Sequence, residues 1–166
     1  MHKLILMLLL PAALVLALAA CGDDDDDGGD DGGQTETDAP DDGGDGPVAV
    51  TLQEFSVNPS TTTHAAGSIE FDIKNEGPED VHEFVVLKTD LAANALPTAD
   101  DGSVDEAGGG IEVEGEVEDL TVGATATLTV DLETGKYVLI CNIVEEEDGD
   151  TVVHYQNGMR TQFTVE

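Results

Sequence analysis

The sequence predicts an all-β sandwich, a single domain over residues 48–166, carried behind an export segment and an acidic tether. Two observations predict the fold. Runs after residue 47 alternate apolar and polar side chains, the period of half-buried strands, and clusters of Gly, Pro and Asn separate them. Many short strands punctuated in this way point to a sandwich. With four Phe, two Tyr and no Trp in 166 residues, its core must come mainly from Val, Leu, Ile and Ala.

The elements follow in chain order. Met1-His2-Lys3 is a short positive lead, and residues 4–20 are apolar and uncharged, broken only by Pro11. They end in Leu18-Ala19-Ala20-Cys21. An apolar run closed by small residues is the form of a cleaved secretory signal. A cysteine at the next position makes it a lipoprotein signal, because the thiol is the acyl acceptor. The run is also shorter than the roughly 20 residues a spanning helix needs. Residues 1–20 are therefore expected to be removed and Cys21 lipidated. One acyl chain binds membranes only marginally, so stable anchoring implies more than one. The expected location is the extracytoplasmic face of the cell membrane. Residues 21–47 are Asp- and Gly-rich with no large apolar side chain after Cys21. Such a segment cannot bury enough surface to offset its ordering entropy. It is expected to be a disordered tether, spanning about 28 Å as a flexible coil.

Residues 48–57 read as a strand whose apolar phase switches part-way, implying a bulge or bend, and Asn58-Pro59 ends it. Residues 67–74 alternate through Ile69, Phe71 and Ile73 into the turn Asn75-Glu76-Gly77-Pro78. Residues 81–87 form a third strand. Within 89–105, Leu91 to Leu96 fits one short helical turn before Pro97, and 111–120 reads as an edge strand or ribbon. Residues 124–132 place Ala124, Ala126, Leu128, Val130 and Leu132 on one face. Glu133-Thr134-Gly135 turns the chain into a mostly apolar strand over 136–143, and 161–165 closes it.

Asp plus Glu number 37 against 5 Lys plus Arg. Four of those bases (Lys74, Lys88, Lys136, Arg160) lie in the domain, which remains strongly acidic without the tether. A phosphate backbone would be repelled, so no nucleic-acid partner is expected. A protein partner with a basic face, or a high-salt habitat, is compatible with the charge.

With Cys21 consumed by lipid, Cys141 is the domain's single thiol, so it has no partner for an internal disulfide. It is inert packing, an interchain partner or a metal ligand. Three further residues bear on that choice: His82 at the head of the third strand, and His154 and Met159 before the last. A thiolate, two imidazoles and a thioether are soft-to-borderline donors, a set that suits copper, with a trigonal His-His-Cys plane and a weak axial Met.

Residues 135–142, Gly-Lys-Tyr-Val-Leu-Ile-Cys-Asn, followed by residues 154–159, His-Tyr-Gln-Asn-Gly-Met, resemble the C-terminal signature of cupredoxins, the plastocyanin/azurin-like blue copper proteins. Residues 67–77 with Val81-His82-Glu83-Phe84 are similar to their first-ligand strand pair. The resemblance spans residues 48–166 apart from 89–120. It implies a Greek-key sandwich, one mononuclear copper ion, and His82, Cys141, His154 and Met159 as its ligands. One-electron transfer with a redox protein partner is the expected role, and, because no residue pattern supplies a substrate site, no enzymatic activity is expected. One departure stands out: twelve residues separate Cys141 from His154, where cupredoxins usually have a few. Looping out 143–153 as a hairpin absorbs them at little entropic cost, since each doubling of loop length adds about 0.6 kcal/mol.

The acidic stretch 145–150 reads as a solvated loop tip, and His64 as an exposed residue of a polar loop. Asn75 and Asn142 are candidates for hydrogen bonds near the thiolate, with turn and strand roles as alternatives. No EF-hand loop, serine elbow, phosphate-cradling glycine loop or HExxH is present. The function expected is a membrane-anchored one-electron carrier. The alternative is a copper-handling or copper-free module of the same fold without a redox role.

Overall fold

The computed structural model describes residues 46–147 and 149–166. The expected signal peptide, lipidated Cys21 and nearly all of the tether lie outside the described residues. No helix among those described is long and apolar enough to cross a membrane.

Two sheets form the domain. The first, in the order β2-β1-β4-β7, comprises β1 (Val48–Gln53), β2 (Ser56–Pro59), β4 (Gly67–Asn75) and β7 (Thr125–Leu132). The second, in the order β3-β11-β8-β5-β6, comprises β3 (Thr63–His64), β5 (His82–Lys88), β6 (Glu112–Leu120), β8 (Gly135–Ile140) and β11 (Arg160–Val165). A separate ribbon pairs β9 (Val144–Glu147) with β10 (Asp150–Val153), and the single turn of helix α1 (His154–Asn157) follows it. β1 runs parallel to β4, and β3 parallel to β11, while the remaining pairs are antiparallel.

Alternation sorts the side chains between core and solvent. In β4, Ile69, Phe71 and Ile73 point inward with exposed Ser68, Glu70 and Asp72 between them. They pack with Val50 and Leu52 against Phe84, Val86, Tyr137, Leu139 and Phe163 of the second sheet. Phe71 sits between two rings, with centroids 5.3 Å from Phe84 and 5.6 Å from Phe163. β6 and β7 close one side of the sandwich. A Cβ on Gly115 would come within 2.7 Å of Val130 Cγ1, so glycine permits this approach of backbone to side chain.

β5 and β8 do not alternate, and both their faces are buried. Val85, Leu87, Val138 and Ile140 form a second cluster with Leu96, Val104 and Tyr155. Residues 89–111 thus lie over the outer face of the second sheet and remove that face from water. The helical turn expected at 91–96 is instead one hydrogen-bonded turn, Ala95 N–H to Ala92 O at 2.8 Å. The phase switch in 48–57 is a complete chain reversal at Glu54-Phe55, with Gln53 opposite Ser56, rather than a bulge. The strand beyond it continues through Asn58-Pro59.

His64 corrects the reading of an exposed loop residue. It is 7% exposed, lies in β3 opposite Val165, and its ring nitrogens bond the carbonyls of Ala65 (2.8 Å) and Gly46 (3.2 Å). Its burial depends on parallel pairing with a strand a hundred residues later, which local polarity cannot reveal.

Candidate metal centre

The register of the second sheet assembles the donors. Val85 lies opposite Ile140, and Ile140 opposite Arg160. The start of β5 (His82), the residue after β8 (Cys141) and the residue before β11 (Met159) therefore meet at one end of the sheet. Cys141 N–H donates to Met159 O at 3.1 Å, and Met159 N–H to His154 O at 3.1 Å. The twelve-residue interval is spent as a hairpin, with Val144 opposite Val153, and His154 N–H donates to Ile143 O at 3.0 Å. The insertion therefore leaves and returns at one point, and His154 faces Cys141.

His82, Cys141, His154 and Met159 are all fully buried. The two Nδ1 atoms stand 3.2 Å apart; Cys141 Sγ lies 3.4 Å from His154 Nδ1 and 3.9 Å from His82 Nδ1. A point equidistant from the three atoms lies about 2.0 Å from each, close to the ~2.0–2.3 Å that imidazole nitrogen and thiolate sulfur take to a borderline metal ion. The donor set fits one such ion. Met159 joins through its backbone bonds to Cys141 and His154, and its side chain is fully buried.

Each imidazole has a carboxylate on its far side. His154 Nε2–H donates to Glu145 Oε1 at 2.8 Å, and Glu54 Oε1 lies 3.6 Å from His82 Nε2, which has no hydrogen-bond partner among the described residues. Phe55 meets the His154 ring edge-on, at 5.2 Å and 73°. The Glu54-Phe55 turn thus serves both histidines. Gly158, at φ 130°, lets the chain pass close beneath it, since a Cβ there would lie 2.9 Å from Phe55 O.

The electrostatics are those of a dry pocket. Burial, then the neighbouring His154, holds His82 below the usual histidine range, so it presents a lone pair. Burial pushes the Cys141 thiol up to about 12, although the Glu83 N–H, 3.4 Å from Sγ, favours the thiolate. A bound cation would supply the missing stabilisation. Burial also acts to raise Glu54, but the backbone N–H groups of Asp80, of Glu54 itself and of Glu79 outweigh it and hold the carboxyl low.

Asn75 and Asn142 do not reach the sulfur as hydrogen-bond donors. The Asn75 amide donates to the carbonyls of Asp80 and Leu120, both at 2.8 Å, fixing the loop before His82. Asn142 exchanges bonds with the backbone of Val104 (2.6 and 3.0 Å) and donates to Glu106, tying the covering segment to the site. Within 145–150, Glu146, Glu147 and Asp150 are solvent-exposed as expected, but Glu145 turns inward to His154. Sequence reasoning missed Glu145, Glu54 and Phe55. The phase switch at 54–55 was the one local signal.

Together the two packed sheets and the buried His-Cys-His end define a cupredoxin fold. The dithionite-reduced auracyanin of Roseiflexus castenholzii superposes with a TM-score of 0.52 at 21% identity, over 75% of this chain and 99% of that one. Auracyanin A, a "blue" copper protein from Chloroflexus aurantiacus, matches at 0.46 and 21% identity over 73% of this chain and 100% of that one. Rusticyanin from Thiobacillus ferrooxidans matches at 0.46 and 15% identity, over 72% and 75%. No family model and no curated sequence matches the chain.

Proposed function

We propose that the domain holds one copper ion between His82, Cys141, His154 and Met159 and carries one electron at a time. The carrying observation is the convergence of two imidazole Nδ1 atoms and one thiol sulfur within 3.9 Å of one another, fully buried. A bound copper ion would supply the one-electron Cu(I)/Cu(II) couple, for which a His-His-Cys plane with a weak thioether is suited. The protein's part is to hold that geometry. Strand register fixes His82 and Cys141, the hairpin neck fixes His154, and Phe55 covers the ring. Glu83 N–H bonds the sulfur, and the burial of all four donors keeps water away. The role proposed is that of a carrier rather than an enzyme. The auracyanin of like fold is described in a reduced state, which accords with redox use of this architecture.

The same reading extends to location. The Leu-Ala-Ala-Cys ending of the leading apolar segment supports cleavage before Cys21 and acylation of its thiol. The carrier would then stand on the extracytoplasmic face of the membrane, near its redox partner. The domain's excess of acid over base favours a partner with a basic docking face. The deciding experiment is visible and EPR spectroscopy of copper-loaded protein. An intense thiolate-to-copper band with narrow copper hyperfine splitting, lost in Cys141→Ser, is expected. A colourless copper complex would leave a binding module without redox work. Mass spectrometry of the membrane fraction should find an N-terminal diacylglyceryl Cys21; an unmodified, uncleaved N-terminus would overturn the anchoring.

A further inference from the structure

The hairpin between Cys141 and His154 brings more than length. Its first strand pairs Glu145 with Val152, one residue from the Val144–Val153 neck, and this register aims the Glu145 carboxylate back at the imidazole. Glu145 Oε1 accepts the Nε2–H of a fully buried ring. That bond has two consequences. It fixes the tautomer, because a proton held on Nε2 leaves Nδ1 as a bare lone pair facing Cys141 Sγ. It also sets a negative charge against the ring, making the imidazole a stronger donor that favours the more highly charged state of a bound metal. The neighbours confine the ring further, with Phe55 edge-on at 5.2 Å and His82 at 5.1 Å. Asp80 belongs to the same cluster.

We propose that Glu145 is a positioning residue for the metal centre, and that the inserted hairpin is the device that delivers it. The inference rests on the copper-carrier reading above. Glu147 is the internal control. It lies on the same strand, carries the same formal charge and is solvent-exposed, so removing its charge alters the general field without touching a ring.

The test compares copper-loaded wild type, E145A, E145Q and E147Q. Competition with a copper chelator reads affinity, and a redox titration reads the potential. E145A should weaken copper binding by about ten- to a hundredfold and raise the potential. E145Q keeps an acceptor oxygen but not the charge, so it should hold copper nearly as tightly as wild type while raising the potential. E147Q should match wild type in both. Equal affinity and potential in E145A and E147Q would overturn the proposal. If wild type shows the thiolate-to-copper band and E145A is indistinguishable from E147Q, this inference alone fails. If wild type lacks the band, the carrier reading falls and takes this one with it.

Discussion

Replacing Glu83 by Gln should stabilise the metal-free protein, and increasingly so as the pH rises. Glu83 lies beside His82 in β5 and is mostly withdrawn from water. Its Oε1 accepts the Asn142 N–H at 2.8 Å. Burial pushes its carboxyl from 4.5 up to about 7; the Asn142 bond opposes the rise, and Glu106, Glu116 and Glu118 add to it. Because the folded value is raised, the folded state binds the proton more tightly than the unfolded chain. That advantage is fully present below about pH 4.5 and is lost as the pH climbs through 7. The gap of about 2.5 pH units, at about 1.4 kcal/mol each, bounds the cost of the ionised form at about 3.5 kcal/mol. Glutamine cannot ionise, yet its carbonyl oxygen can still accept the Asn142 N–H. Urea unfolding at steps from pH 4 to pH 8 should therefore show E83Q gaining on wild type between pH 4.5 and 7. The gain should reach about 1–3 kcal/mol at pH 8 and then level off. Part of it should survive in high salt, because burial is not screened as the three neighbouring carboxylates are. A difference that stays flat across this window would refute the reasoning.

Two further perturbations probe the packing. Phe71→Ala opens a cavity between Phe84 and Phe163 and should cost about 3–5 kcal/mol, read from the urea midpoint; a loss under about 1 kcal/mol would mean that this layer is not closely packed. Tyr155→Phe removes a hydroxyl that donates to Ala93 O at 2.9 Å and accepts Leu96 N–H at 3.2 Å. It should cost about 1–2 kcal/mol and speed amide exchange at Leu96 and its neighbours, leaving the thiolate-to-copper band unchanged. Unaltered exchange there would show that the covering segment is held by other contacts.

The strand pattern was legible where one face of a strand meets water. β4 and β7 alternate because their outer faces are solvated, so the period reports the fold directly. In β5 and β8 the runs Phe84-Val85-Val86-Leu87 and Val138-Leu139-Ile140 carry no alternation. Their continuity was itself a sign that something covers the second face, but the covering residues, from Leu91 to Ile111, have no period of their own. They are placed by side-chain bonds from Tyr155 and Asn142, distant in sequence. The switch of phase at Glu54-Phe55 was visible, yet a bulge and a reversal look alike until β1 and β2 are seen paired.

The donors themselves could be read from residue type and order, because soft ligands are rare and a lone thiol followed by His and Met is distinctive. Their surroundings could not. A glutamate in an acidic run and a histidine among threonines have the local chemistry of solvated residues. Glu145 is turned inward by hairpin register, and His64 is buried by pairing with the final strand. Sequence carries side-chain chemistry and local period, which are properties of neighbours along the chain. Whether a charge meets water or an imidazole follows from long-range pairing, and only the folded sheets supply that.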